Sequence, residues 1–197
     1  MKRLLLFTIL PVLFVSPQTF VNPYFGFQTG LNYSIFDPKD EAGNLTGLGF
    51  QFGLGMGIEF LNTFDLEIAP SFRTTSFERT VLNIETGADF KNFYIPFIFK
   101  LRAGTLPVVN PYLGLGIAGN FQIDGTAYVG SFKSSIDDLE NDLLFLVSVG
   151  TDIKLAKIKL TPDFKFNYNL TADDPDTEDR SEENYDFHFS FGISYAP

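Results

Sequence analysis

The chain has 197 residues, of which 45% are hydrophobic, with 24 Phe, no Trp, no Cys and a formal net charge of −10. The lack of cysteine excludes disulfides, thiolate metal sites and a cysteine nucleophile, and the acidic balance argues against nucleic acid as a partner, because a phosphate backbone requires a basic surface. So many Phe side chains indicate a large apolar surface that protein or lipid must cover.

The N-terminal residues have the layout of a secretory signal peptide. A basic start at Lys2 and Arg3 is followed by an apolar run as far as Val15, which is too short for a membrane-spanning helix. Residues 1–19 are therefore predicted to be a signal peptide, and residues 20–197 a single domain. No later apolar run approaches the roughly 20 residues of a transmembrane helix, so any crossing of a membrane must use strands.

Beyond this segment, apolar and polar residues alternate with a period of two. The clearest case is residues 47–60, where Leu48, Phe50 and Phe52 begin a row of bulky apolar side chains and the positions between them are mostly Gly. Successive side chains of a strand point to opposite faces, so one face is apolar and the other small or polar. Eight such segments follow one another, at residues 25–35, 47–60, 64–73, 92–102, 113–123, 142–154, 158–168 and 185–195.

The connections between these segments alternate between long and short. Long ones are predicted at residues 37–46, 75–91, 124–141 and 171–184, and short ones at residues 61–63, at 104–108 and around Ala156. Long extracellular loops and short periplasmic turns are typical of small outer-membrane barrels. Residues 20–197 are therefore predicted to be an outer-membrane β-barrel domain. The fold class predicted is all-β, an eight-stranded antiparallel up-and-down transmembrane β-barrel with both termini in the periplasm of a bacterial cell.

Three prolines fall inside predicted strands. Pro70, Pro96 and Pro162 each lack the N–H that a strand ladder uses, and a closed barrel has no edge strand to accommodate them. We therefore expect bulges or interrupted pairing at these three positions.

Periodicity alone leaves open which face points outward. A soluble lipocalin-like ligand-binding barrel would place its apolar side chains inside. A membrane barrel would place them in lipid, with aromatic girdles at the interfaces; aromatic residues near strand ends include Tyr24, Phe25, Phe64, Tyr168, Tyr185 and Tyr195. The uniform Phe, Leu and Ile face favours lipid outside, and the soluble barrel stays as an alternative.

With the polar face inside, its charges would fill the lumen. The interior of an eight-stranded barrel is just wide enough to be filled by side chains, and buried charges require partners. We expect a plugged lumen, no wide pore, and ion pairs among Glu59, Asp65, Glu67, Arg73, Lys100, Arg102, Asp152, Lys154, Asp163, Lys165, Asp186 and His188.

Two patterns suggest chemistry. Residues 114–119 match the G-x-G-x-x-G spacing, but they lie within an alternating strand rather than at a strand-to-helix turn, which argues against a nucleotide. His188, the single histidine, would need Asp163 or Ser34 from neighbouring strands to serve a lipid-modifying enzyme, because Asp186 and Ser190 share its own strand at about 7 Å spacing. Our first interpretation is no enzyme, no cofactor and no metal, with the acyl hydrolase or acyltransferase as the alternative.

The last long connection is strongly acidic. Its seven carboxylates are opposed only by Arg180, and it reads either as a solvated loop or as a divalent-cation bridge to lipopolysaccharide. The acids are Asp173, Asp174, Asp176, Glu178, Asp179, Glu182 and Glu183. The partners expected are outer-membrane lipid and lipopolysaccharide, with the chain acting as a monomer.

The second half of the chain resembles the PorT-type, OmpA-like family of outer-membrane β-barrels. Residues 93–100, FYIPFIFK, look like the family's "YLxIPLLLK" strand, and residues 110–116, NPYLGLG, are similar to its "kPYlGaG". Residues 149–153 and 163–170 match more loosely. The resemblance implies an eight-stranded barrel in the outer membrane, accounts for Pro96 within a strand, and implies no shared catalytic residues. The expected function is structural or surface-binding, through long extracellular loops.

Overall fold

The computed structural model describes residues 21–37, 45–81, 84–103, 108–136, 141–171 and 183–197. The predicted signal peptide at residues 1–19 and most of the acidic connection lie outside these ranges. Among the described residues, no helix is both long and apolar enough to cross a membrane.

The chain forms a closed ring of antiparallel strands. The strands are β1 (Val21–Asp37), β2 (Leu45–Phe60), β3 (Phe64–Ile68), β4 (Ser71–Val81), β5 (Ile84–Arg102), β6 (Val109–Val129), β7 (Phe132–Ser135), β8 (Asn141–Leu155), β9 (Ile158–Asn169) and β10 (Glu183–Tyr195). β1 pairs with β2 on one side and with β10 on the other, which closes the ring. Since β3 and β4 share one position between β2 and β5, and β7 pairs with β6 alone in the described part, the barrel has the eight strands predicted.

The prolines interrupt pairing without shifting the register. Ile68 faces Met56 and Ser71 faces Gly53, so Ala69 and Pro70 form a gap in one continuous strand. Pro70 within this gap and Pro96 opposite it both lack an N–H donor. The carbonyl oxygen of Pro96 still accepts a hydrogen bond from Ala69 N. The predicted interruptions at Pro70 and Pro96 are confirmed.

Pro162 interrupts only one of its two ladders. It stays opposite Phe191 of β10, whereas the β8–β9 ladder is broken between the Gly150–Asp163 pair and the Ile153–Leu160 pair. A proline that lacks one donor disturbs one side of a strand, as expected from the sequence.

Two predicted connections are largely strand. Residues 75–81 and 84–91, expected as parts of a loop, form the ends of β4 and β5, which pair from Ser71–Tyr94 up to Val81–Ile84. Part of 124–141 continues β6 and adds β7. The prediction was wrong because these residues carry no unbroken row of bulky apolar side chains at alternate positions, which was the signal used for the other strands. β5 has 19 residues and β9 has 12, so the wall is taller on this side.

The apolar side chains point out of the ring. Phe27 is 73% exposed and Phe52 is 53% exposed, whereas the neighbouring Gln51 is 1% exposed. Most outward positions around the wall are Phe, Leu, Ile, Val or Met, and most inward positions are polar or small, although Ile98, Leu144 and Leu146 also face inward. The soluble lipocalin-like alternative required the reverse arrangement and is wrong for this chain.

The small diameter of the barrel explains why the inner face of β2 is so rich in glycine. A Cβ added to Gly49 would overlap the backbone carbonyl of Thr74, and one on Gly53 would overlap that of Pro70. Strong curvature brings the inner faces of neighbouring strands together, so side chains are excluded there. Gly55 differs, because an added Cβ would meet nothing within 4 Å.

Candidate functional site in the barrel interior

The interior of the barrel is filled by charged and polar side chains. All twelve residues predicted to line the lumen point inward. One further base, Lys159, is 1% exposed and also points inward; its polar-face position within β9 was a signal that the initial charge count left out. With Lys159 added, the charged residues predicted to line the lumen comprise six acids (Glu59, Asp65, Glu67, Asp152, Asp163 and Asp186) and six bases (Arg73, Lys100, Arg102, Lys154, Lys159 and Lys165). A further acid, Asp142, is partly buried and accepts hydrogen bonds from Asn120 and Asn169.

Arg102 is the centre of the first group, which we term the short-turn cluster because it lies beside the turns at residues 61–63 and 156–157. Its Nη2 atom lies 2.9 Å from Glu59 Oε1, 2.8 Å from Asp65 Oδ2 and 2.6 Å from Asp152 Oδ2. Charge-assisted hydrogen bonds of this kind are about twice as strong as neutral ones. One guanidinium thus ties together strands β2, β3, β5 and β8.

Lys159 reinforces the same three carboxylates from β9. Its Nζ atom lies 3.5 Å from Glu59 Oε1 and 2.9 Å from the centroid of the Tyr24 ring. Tyr24 is 3% exposed, and its hydroxyl lies 2.8 Å from Glu67 Oε2 and 3.0 Å from Asp65 Oδ2. Its placement in the interfacial girdle was therefore wrong: its side chain belongs to the lumen, where a cation faces its ring.

Two more lysines complete the short-turn cluster. Lys100 Nζ lies 2.7 Å from Glu67 Oε2, and Lys154 Nζ lies 2.7 Å from Glu59 Oε2. Four acids are thus matched by four bases. Compensation of this kind is what allows charges to be buried, because each isolated ion would cost several kcal/mol of desolvation.

Three of these carboxylates are close enough together to hold a metal ion. The oxygens of Glu59, Asp65 and Asp152 lie within 4.8 Å of one another. Arg102 and Lys159 already face all three, so the positive charge that a metal would supply comes from side chains. The donor set therefore favours an ion-pair network over a metal site.

His188 is the centre of the second group, the histidine cluster, nearer the long connections. Its Nε2 atom lies 3.0 Å from Arg73 Nη1 and 2.9 Å from Asn167 Nδ2, and its Nδ1 atom lies 3.0 Å from Gln51 Oε1. A guanidinium can only donate, so Nε2 accepts and the proton lies on Nδ1, which donates to Gln51. Arg73 also pairs with Asp186 at 2.8 Å.

The side chains predicted to activate His188 are engaged elsewhere or absent from its hydrogen bonds. Asp163 Oδ2 lies 2.6 Å from Lys165 Nζ, and Lys165 donates to Ser190 Oγ at 3.1 Å. Neither Asp163 nor Ser34 bonds to the imidazole among the described contacts. A fully buried imidazole whose acceptor nitrogen is held by Arg73 fits a structural role better than general-base catalysis.

A small polar cavity separates the two clusters. It has a volume of about 20 Å³ and is lined in part by Gln28, Gly55, Glu67, Asp163 and Ser190. This volume is about that needed for one water molecule, and Asp163 Oδ1 is buried without a protein partner.

Comparison with known families gives one match that covers nearly the whole chain. The family described as "Outer membrane protein beta-barrel domain" matches residues 5–196. No curated protein is similar enough in sequence to match.

Solved structures of small barrels are similar in fold. Neisserial surface protein A aligns with a TM-score of 0.54 and 15% identity, over 87% of this chain and 96% of that one. OprG from Pseudomonas aeruginosa aligns at 0.48 and 13%, over 90% and 96%. Ail from Yersinia pestis, solved with the heparin analogue sucrose octasulfate, aligns at 0.47 and 12%, over 88% and 99%. At these identities the likeness concerns the fold alone.

Proposed function

Since this chain belongs to the outer membrane protein beta-barrel domain family, we propose that it serves the bacterial outer membrane as a monomeric, non-enzymatic barrel with a plugged lumen. Its role is structural or surface-binding, through the segments at its long-connection end. Outer-membrane lipid surrounds the wall, and lipopolysaccharide contacts the long connections.

One observation carries this proposal: two charge-balanced clusters lie one above the other across the lumen. Arg102 binds carboxylates from three other strands, and Arg73 links β4 to Asp186 and His188 of β10. A conducting pore would need a continuous aqueous path between these groups. Their mutual distances of about 3 Å favour a plug that does not pass solutes.

The ends of the strands support the proposed orientation. Both termini of the described barrel lie at the end with the short turns, since Phe25 near the start of β1 pairs with Tyr195 at the end of β10. In outer-membrane barrels, which insert from the periplasmic side, the short turns lie in the periplasm. The hairpins β4–β5 and β6–β7 then project outward as the surface available to partners.

Planar-bilayer recording tests the plug. We expect purified, refolded protein to give no large, stable conductance steps, under conditions in which a wide porin in the same bilayer does. Repeated steps of porin size would refute the plugged lumen.

Fractionation of cells tests the location of the protein. A heat-modifiable gel shift tests whether the protein in that fraction is a folded barrel, because a folded barrel migrates differently before and after boiling.

We also propose that the chain belongs to the PorT-type branch of small barrels. Its support is the resemblance of residues 93–100 and 110–116 to two strands of that group. These residues form β5 and β6, which pair with each other from Thr86–Val129 to Arg102–Tyr112. No role in secretion follows from motifs this general.

A further inference from the structure

The outer wall carries a trough on the half of the barrel near the short turns. Two rows of outward side chains border it. The first row runs across five paired strands through Pro23, Ile58, Leu66, Phe99 and Leu115. The second runs parallel to it, from Met56 on β2 to Ile117 on β6. We call this feature the lateral trough; its volume is about 740 Å³.

The floor of the lateral trough is backbone. Between the two rows lie Gly57, Glu67, Ile98 and Gly116, one on each of four paired strands. The two glycines have no side chain, and the Glu67 carboxylate points into the lumen, where Lys100 binds it at 2.7 Å. No charge of these described residues therefore faces the trough, and its ligand must be apolar.

The dimensions suit one hydrocarbon chain. Five strands spaced by about 4.8 Å give a trough about 19 Å long. Because it runs across strands tilted by about 45°, it covers about 13 Å of membrane depth, close to half of the roughly 25 Å apolar band. It thus spans about one leaflet.

We infer that the lateral trough binds one acyl chain of a phospholipid from the periplasmic leaflet. The inference rests on the proposed membrane orientation, which puts the short turns in the periplasm. The trough is continuous with the lipid-facing wall, so hydrocarbon reaches it without crossing water. A chain lying between two rows makes dispersion contacts on three sides, instead of the one side offered by a convex wall. A second barrel would present such a convex wall and fill a concave surface poorly.

The chain itself offers a clean reporter, because it contains no Trp. Phe99→Trp places one indole in the first row, and Phe191→Trp is a matched control on β10. Phe99 is 46% exposed and Phe191 39% exposed, and both lie close to the short-turn end of their strands. Each variant is first checked for folding by its heat-modifiable gel shift.

The experiment titrates a phospholipid with brominated chains into folded protein in a non-quenching detergent. We expect quenching at Phe99→Trp to saturate near one lipid per protein and to exceed that at Phe191→Trp several-fold at this point. Narrowing the trough with Leu66→Phe in the Phe99→Trp background should abolish the difference. Should Phe99→Trp fail to fold, Ile117→Trp on the opposite row serves as the reporter.

Other outcomes separate the possible errors. Equal, gradual quenching at both reporters would overturn the trough while leaving the membrane barrel intact. An absence of quenching at both, even in pure brominated bilayers, would overturn the proposed function itself. Since the chain also lacks Cys, dimers crosslinked through Phe99→Cys in bilayers would show that a second copy fills the trough. Displacement of the brominated lipid by purified lipopolysaccharide would contradict the choice of phospholipid.

Discussion

Arg102 and Asp152 are 50 positions apart in the chain, yet the Nη2 atom of one lies 2.6 Å from the Oδ2 atom of the other inside the barrel. Both side chains are fully buried. Their pairing joins β5 to β8 across the lumen, although the two strands are not neighbours in the wall. This ion pair thus crosslinks the barrel through its interior.

Removal of this guanidinium should destabilise the barrel strongly. Arg102→Met would leave three buried carboxylates facing mainly Lys159, and we expect a loss of about 3–5 kcal/mol in the free energy of unfolding, as for other broken buried pairs. Urea unfolding in detergent micelles measures it. The control is Lys91→Met, which breaks the exposed pair with Asp124 and should leave the midpoint unchanged. Equal effects of the two substitutions would contradict the interior network.

His188 should matter for stability and not for lipid chemistry. His188→Ala removes the partner of Gln51, Arg73 and Asn167, and leaving such groups unsatisfied should cost about 1–3 kcal/mol. His188→Gln, which can still donate and accept, should cost less. Mass spectrometry of lipid A from cells with wild-type protein and with each variant should give the same profile. A change in acylation upon His188→Ala would restore the enzyme hypothesis.

Two glycines of β2 should respond in opposite ways to the same substitution. Gly49→Ala puts a methyl group against the carbonyl of Thr74, and we expect overpacking to cost about 1–3 kcal/mol. Gly55→Ala enters open space and restricts the unfolded chain, so it should be neutral or stabilise by up to about 1 kcal/mol. Unfolding midpoints of the two variants provide the comparison, and a larger loss at Gly55 would argue against the wall geometry.

A charge placed on the apolar outer face of the wall should lower the free energy of unfolding, whereas a charge on the β7 hairpin should leave it unchanged. Phe52→Arg, at the middle of β2, should destabilise the protein in bilayers by about 2–4 kcal/mol, the range measured at a membrane midplane. Phe132, on the β7 hairpin, is 83% exposed, and Phe132→Arg should have no effect because it meets water. If both are tolerated in lipid vesicles, the apolar face of β2 is not in hydrocarbon.

Labelling of intact cells should reveal the orientation. The chain lacks Cys, so Lys133→Cys on β7 and Lys157→Cys in the turn between β8 and β9 each give one thiol. We expect a membrane-impermeant maleimide to modify position 133 in intact cells and position 157 only after the outer membrane is permeabilised. The opposite pattern would invert the barrel.

Much of the wall could be predicted from sequence, because alternation within a strand is a local property. The row that begins at Leu48, Phe50 and Phe52 specifies a strand and its two faces without reference to any partner. Pro70 and Pro162 predict interrupted strand pairing for the same reason, because the missing N–H is a property of the residue itself. The strand ends at residues 75–81 and 84–91 were missed because they carry no unbroken row of bulky apolar side chains at alternate positions.

For the interior, the sequence predicted the type of side chain that lines the lumen but not the contacts between these side chains. The sequence indicated that charged residues would line the lumen, but Tyr24 was assigned to the interface and Lys159 was not counted among the bases. Both side chains stand at polar-face positions of their strands, so the alternation already indicated that they face the lumen. Which groups they meet there depends on the register between strands distant in the chain.

By itself the sequence determined that this protein has eight strands, each with one apolar and one polar face, since the period of two is present within each strand. The exposure of the apolar side chains in the folded barrel then decided that this face points outward. Only the tertiary structure decided that Arg102 meets three carboxylates, that His188 is held by Arg73, and that two apolar rows border a trough. The reason is physical: a strand fixes the direction of its side chains locally, whereas their neighbours across the lumen and around the wall depend on how all eight strands are staggered when the ring closes.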